Sequence, residues 1–380
     1  MATRIGLRLG SAAVWAMAVV LAASALVAAG CGPRATRTCG DPQFRPKLLL
    51  RVGDDCNTPD AVRLLPATGE MFVACPNYND PKFPGKIMKI TPDNRWELVT
   101  VLPPHPQTGR ACPMGMDFGP DGNLYVADCQ YFYDKDHKSR VLRIVMKDGK
   151  AVRVETAVEG FKLANAVMFK GNDMFVSDTF FDRDDRPGMS GVYRIGMAEM
   201  GRGVVRLLPK ARAETDPHLV MLMHTKRLHV RADWAGADGL TFDADGNLYC
   251  GNFGDGTLYK ATFNADGSVH TAGVFVYDGR WTCCDGLFYD KTRDCIFVAD
   301  SEKNAVQVIW LPEGRLTTLW ENDDTDGSDG LLDQPCEVAL RGNELIAVNF
   351  DMTFPGLKNA GYDAWHTISV IDIKGLQRPK

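Results

Sequence analysis

Six positions carry the residue types best suited to chemistry: Asp60, Met114, Asn165, Asp238, Asp285 and Cys336. Each is the third residue of a recurring motif, with spacings of 54, 51, 73, 47 and 51 residues. If the repeat brings them to one place, three carboxylates and an amide oxygen face each other. Unit charges about 4 Å apart repel by roughly 4 kcal/mol at an effective dielectric of 20, and a bound cation relieves that repulsion. The oxygen donors of Asp60, Asn165, Asp238 and Asp285 suit a hard divalent ion, with Ca2+ ahead of Mg2+ or Mn2+ and Zn2+ disfavoured without His or thiolate. The competing reading is structural, because Asp before Gly is a common turn former. The shared repeat position tips the set towards binding.

The elements that must position these residues are hairpins. Each copy reads as a short apolar strand, a tight turn and a second apolar strand ending in a polar residue, as in Gly236-Ala-Asp-Gly-Leu-Thr-Phe, Asp243-Ala-Asp-Gly, Asn247-Leu-Tyr-Cys. Gly in the turn supplies the positive φ that bulkier L-residues resist. Further strand-like runs lie between copies, such as Lys86-Ile-Met-Lys-Ile with Trp96-Glu-Leu-Val-Thr, so two hairpins make one four-stranded blade. A repeat of this length gives an all-β, six-bladed β-propeller over residues 47–376. Lys47-Leu-Leu-Leu-Arg-Val has no partner hairpin and the last unit, ending Ile368-Ser-Val-Ile-Asp-Ile, lacks a fourth strand. The two ends can complete one blade and so remove an open edge. The longest spacing marks an insertion at about 182–231, in which His218-Leu-Val-Met-Leu-Met-His has helical spacing.

Residues 1–30 read as an export signal, with Arg4 and Arg8 preceding an apolar run from Ala12 to Ala29. Val27-Ala28-Ala29-Gly30-Cys31 is similar to a bacterial lipoprotein processing site, so Cys31 is the expected lipid carrier and the only expected link to a membrane. Residues 31–46 read as a linker. The expected location is periplasmic or membrane-anchored, and the ten remaining cysteines are then expected to form disulfides. Loss of the signal moves the net charge from −5 to −7, a poor balance for binding nucleic acid. No P-loop, dinucleotide fingerprint, G-x-S-x-G or zinc-protease motif occurs, which argues against nucleotide chemistry.

Asp60, Asn165-Ala166-Val167, Asp238-Gly239-Leu240 and Cys283-Cys284-Asp285-Gly286 together resemble the gluconolactonase and regucalcin family of six-bladed propellers. The resemblance implies an acid, an Asn and an Asp holding a catalytic divalent cation, with the Asp at 238 also credited as a base. Arg110-Ala-Cys-Pro-Met-Gly-Met-Asp-Phe through Val126-Ala-Asp is closer to strictosidine synthase-like propellers, and the hairpins are shared with NHL repeats. In the lactonases an Arg and an Asn at the second unit grip sugar hydroxyls, where this chain has Pro113-Met114 with Arg110 nearby. The expected substrate is therefore a less polar lactone or ester. The cation would polarise the carbonyl, and Asp238, or next Asp285, would take a proton from water. Arg110, Met114, His105, Glu337, Trp281 and His366 are the candidate substrate-contacting residues, and Phe180 is a further candidate for the wall. Asp128, Asp178, Asp300 and Asp351 are expected to end second strands, as hairpin residues first. The rival function is a non-catalytic, NHL-type propeller holding a peptide or protein, and a Ca2+-containing quinoprotein dehydrogenase ranks third.

Overall fold

The computed structural model describes residues 38–181, 187–208, 215–226, 234–352, 354 and 357–380. The export signal and Cys31 lie outside these residues. Six antiparallel sheets follow one another along the chain. Their innermost strands are Val62–Leu65, Pro113–Phe118, Ala164–Lys170, Ala237–Phe242, Leu287–Asp290 and Pro335–Arg341. The second strands are Glu70–Cys75, Leu124–Asp128, Asp173–Asp178, Leu248–Asn252, Cys295–Asp300 and Glu344–Asn349. This is a six-bladed β-propeller with four-stranded blades.

Alternation along each strand sends apolar side chains into the seams between neighbouring blades. Between blades one and two, Phe72, Ala74, Ile87, Met116, Leu124, Val126 and Ile144 are buried together. Phe72 meets Phe118 edge-on at 5.0 Å. Every seam repeats this plan, so the core is a ring of interfaces and no single blade has a core of its own.

The ring closes through its ends. Lys47–Val52 pairs antiparallel with His366–Asp372 and becomes the outer strand of blade six, as its sequence suggested. Thr38–Gly40 pairs with Arg315–Asn322 and adds a fifth strand to blade five, so the end of the expected 31–46 linker is partly sheet. The insertion also departs from expectation. Leu219–His224 is not helical but forms the outer strand of blade three, bonded to Met189–Gly196. Its run Leu-Val-Met-Leu-Met is apolar without a helical stripe, and sheet pairing satisfies its backbone. Val205–Arg206 runs parallel to the edge of blade two, and a single α-helical turn among the described residues spans Met197–Met200.

The expectation of disulfides holds at one pair among the described residues. Cys56 and Cys75 form a disulfide. The other eight described cysteines are free, and all but Cys39 are buried. They fill inter-blade space as small apolar residues. The one disulfide has a structural counterpart in other blades, where the polar residue ending the second strand accepts from the backbone entering the first. Asp128 Oδ1 accepts from Cys112 N (2.7 Å), Asp178 Oδ1 from Leu163 N (2.8 Å), Asp300 Oδ1 from Cys283 N (3.2 Å), and Asn349 Oδ1 from Asp333 N (3.1 Å). Cys75 stands at the equivalent place in blade one and makes the tie covalently.

Candidate functional site

The inner strands deliver the repeat residues to one mouth. In blades two, three, four and six the ladder to the second strand is irregular at the repeat position, between Pro113/Met116, Ala164/Val167, Ala237/Leu240 and Pro335/Glu337. A bulge of this kind re-aims a side chain. In blades two, four and five the residue after the repeat position has no room for a Cβ because the inner strands approach closely. A Cβ on Gly239 would lie 2.3 Å from Asp285 O, one on Gly115 2.5 Å from Ala166 Cα, and one on Gly286 2.6 Å from Cys336 O. None of these three glycines has a positive φ. Gly after the mouth residue is therefore a requirement of space and not of a turn.

Asp60, Met114, Asn165, Asp238, Asp285 and Cys336 line a single cavity, enclosing about 630 Å³ counted out to its open mouth. Its walls are largely aromatic: Tyr131, Phe132, Phe180, Phe253, Phe350 and Phe354. Tyr131 and Phe180 stack at 4.8 Å. No Lys, Arg or His lines it among the described residues.

The floor is electrostatically frustrated. Burial pushes the Asp60 carboxyl up to about 7, against a lowering contribution from the Cys336 thiol, and its Oδ2 is buried without a hydrogen-bond partner. Burial, then repulsion from Asp238 and Asp60, raises Asp285 well above the carboxylate range, opposed by a hydrogen bond from Ser301. Asn165 donates Nδ2 to Thr179 Oγ1 at 3.4 Å, so its carbonyl oxygen is the end left for a ligand. Two buried acids and the half-buried Asp285, with an orphaned oxygen and no cationic side chain among the described lining residues, fit a hard cation. The oxygens of Asp60, Asp238 and Asp285 do not, however, form one group within 4.8 Å of each other, as Asp333, Asp351 and Asp363 do. Binding one ion through all three requires the floor to contract.

The remaining candidates separate. Met114 lies on the floor, under the Tyr78 hydroxyl at 3.4 Å, and Phe180 is in the wall. Glu337 lies below the floor in the channel proper, with Arg63, Gly115, Val167 and Leu287. Burial lifts its carboxyl to about 8, and its Oε1 accepts from Val338 N at 2.9 Å. Four expected substrate contacts stand elsewhere. Trp281 is fully buried in the seam of blades four and five with Tyr249, Leu258 and Ile296, because its ring fills the space behind Gly256. His105 lines a surface groove with His137 and Arg140, where its Nδ1 accepts from Gln107 N and burial lowers its proton affinity. Arg110 donates to the carbonyls of Pro81 and Phe83, which holds that loop rather than a ligand. His366 is buried 3.6 Å from Asp351 Oδ2 in blade six. Asp351 itself falls two residues beyond the second strand and closes no hairpin.

Phe180 stands in the wall as expected, but the rest of the aromatic wall was missed, although a signal existed. Tyr131, Phe132, Phe180, Phe253 and Phe350 each follow within four residues of the polar residue that ends a second strand.

No protein-family model matches the chain, and no curated protein matches its sequence. Solved structures do match. A putative gluconolactonase is 15% identical over 87% of this chain and 93% of its own, with a TM-score of 0.51. A calcium-binding protein, regucalcin, from Agrobacterium tumefaciens is 14% identical over 88% and 97%, TM-score 0.53. This chain has the gluconolactonase and regucalcin-like propeller fold. A luciferin-regenerating enzyme is similar to the same degree, 12% identical over 87% and 96%, TM-score 0.55. At these identities the likeness establishes architecture, and the chemistry must be argued from the cavity.

Proposed function

We propose that this protein is an exported hydrolase that uses a divalent cation, Ca2+ first, to cleave an apolar or aromatic lactone or ester. One observation carries the reading: the carboxylates of Asp60, Asp238 and Asp285 and the amide of Asn165 line one cavity under an aromatic wall, with no cationic side chain among the described lining residues. The gluconolactonases and regucalcin among its structural relatives support the same chemistry. Asp60, Asn165, Asp238 and Asp285 would hold the ion. When bound, it would supply Lewis-acid polarisation of the substrate carbonyl and stabilise the developing oxyanion.

The chain's own residues do the rest. The rings of Phe132, Phe180, Phe253 and Phe350 would clasp the apolar body of the substrate and exclude bulk water, and Met114 would occupy the place of a sugar-binding group. Asp238 acts as general base: it takes a proton from water as the water oxygen bonds to the carbonyl carbon, then returns that proton to the departing alkoxide when the C–O bond breaks. Asp285, raised by its neighbours, is the alternative base and the reservoir of negative charge on the floor. The N-terminal segment directs this activity outside the cytoplasm, with Cys31 as its anchor.

Metal analysis of the purified protein, followed by a panel of aliphatic and aromatic lactones and esters with and without chelator, tests the proposal. Turnover should be lost on chelation, restored by Ca2+, and abolished in Asp238→Ala. Hydrolysis surviving both treatments removes the mechanism. Capture of a peptide or protein without turnover on any panel member favours the NHL-type binding function instead.

A further inference from the structure

Blade six carries a second group of carboxylates, separate from the cavity floor. Asp333 lies on the turn entering the inner strand Pro335–Arg341, Asp351 lies just past the second strand Glu344–Asn349, and Asp363 stands before the third, His366–Asp372. Ligand oxygens from the three all lie within 4.8 Å of one another. Asp333 and Asp351 are fully buried, and none of their four carboxylate oxygens has a hydrogen-bond partner. Among the described residues no Lys or Arg pairs with any of the three, and the nearest base is His366, 3.6 Å from Asp351 Oδ2. Asn359, in the same connection between strands, is also buried with neither end of its amide bonded.

Such an arrangement leaves four buried carboxylate oxygens with no bonded donor, which a counter-charge would complete. The surroundings increase the demand. Asp324 and Asp326 also stand close enough to act on Asp333, so the acids here outnumber the three proposed ligands. The acid-rich turn reaches this place because Gly327, at φ +65°, packs with its Cα side 3.3 Å from Asp333 Oδ2 and 2.6 Å from Thr367 Oγ1, measured from where a Cβ would stand.

We propose that Asp333, Asp351 and Asp363 bind a divalent cation, Ca2+ by the character of the donors, that fastens both ends of the 351–363 connection to the turn entering blade six. Ca2+ takes oxygens at roughly 2.3–2.6 Å, so oxygens on opposite sides of one ion stand up to about twice that distance apart. The observed group already meets this limit without rearrangement. The chain neighbours of two of these ligands, Gln334 and Phe350, line the aromatic cavity. An ion here therefore fixes part of the cavity wall while standing apart from the floor, and the site does not depend on whether the floor holds a metal.

Thermal denaturation and Ca2+ titration calorimetry of the signal-free protein test this, comparing wild type with Asp333→Asn, Asp363→Asn and Asp238→Asn in chelator and in Ca2+. Asp333→Asn should keep or raise the Tm in chelator, because an unpaired buried carboxyl is gone, and should lose the blade-six share of the Ca2+-induced gain, roughly 2–5 °C. Asp238→Asn, which disables the floor, should keep the blade-six share of that gain, and adding Asp333→Asn to Asp238→Asn should remove it, which separates this site from the floor. An Asp333→Asn protein with the full Ca2+ gain, or one destabilised equally in chelator and Ca2+, overturns the proposal. If Asp333→Asn does not fold, the partly exposed Asp363→Asn is judged by the same two criteria.

Discussion

Replacing Gly239 by Ala tests whether the inner strands set the geometry of the floor. The new Cβ would stand 2.3 Å from Asp285 O and 2.9 Å from both Gly286 Cα and Leu287 N. All three are backbone atoms, so no side chain can swing aside. Restoring ordinary contact, about 3.4 Å, demands a shift of about 1 Å between the inner strands of blades four and five. Overpacking of this kind typically costs about 1–3 kcal/mol, and a clash with backbone alone belongs at the upper end, about 3 kcal/mol. Gly273 is the control, since it sits in the exposed outer strand Val269–Tyr277 with nothing within 4 Å of its would-be Cβ. There Gly→Ala should be neutral or stabilise by about 0.5 kcal/mol, through the entropy of the unfolded chain. Urea denaturation followed by tryptophan fluorescence should therefore show midpoints moving in opposite directions at an unchanged slope. If Gly239→Ala is as stable as Gly273→Ala, the close approach of the inner strands is not what selects glycine after Asp238.

Two further outcomes are expected. In chelated protein, Asp60 has a folded-state value raised from 3.8 to about 7, so its protonated form is favoured by folding and it contributes a downward slope of stability between about pH 4 and about pH 7. Asp60→Asn should remove that slope and gain up to about 4 kcal/mol at pH 8, and a variant as pH-sensitive as wild type in denaturant titrations would contradict the assignment. Breaking the disulfide with Cys56→Ser should lower stability by about 3 kcal/mol, from the chain entropy of a loop with a sequence separation of 19, whereas Cys112→Ser should leave the response to reductant unchanged. Equal midpoints for Cys56→Ser and wild type under oxidising conditions would refute the first half.

The blade count and the cavity floor were legible because repetition turns weak local signals into a strong one: no single Asp-Gly pair is informative, but six motifs at blade-sized spacing are. Positive φ is the reason for Gly122 and Gly246 in the hairpin turns, as expected, but not for the glycines that follow the mouth residues. A turn and a tight strand contact both demand the absence of Cβ, and one sequence cannot distinguish positive φ from crowding at Gly239 or Gly286. Arg110 and Trp281 misled for a different cause. Each is a single residue whose side chain is long or large enough to leave the neighbourhood of its backbone, and non-local packing decides where it ends. Leu219–His224 read as helix because five apolar residues in a row have no period, and pairing with Met189–Gly196 settled the matter. The blade-six acids were hidden because Asp333, Asp351 and Asp363 come from three separate segments and share no motif.

The clasp between Lys47–Val52 and His366–Asp372 joins nearly the first and nearly the last parts of the chain to be synthesised. During translation, five blades can assemble while blade six still waits for its three C-terminal strands, and throughout that interval Leu48 and Leu50 belong to an unpaired edge. Any early stop before residue 366 makes that transient exposure permanent. Shortened products of this gene should therefore behave as sticky, protease-sensitive fragments rather than as smaller working propellers.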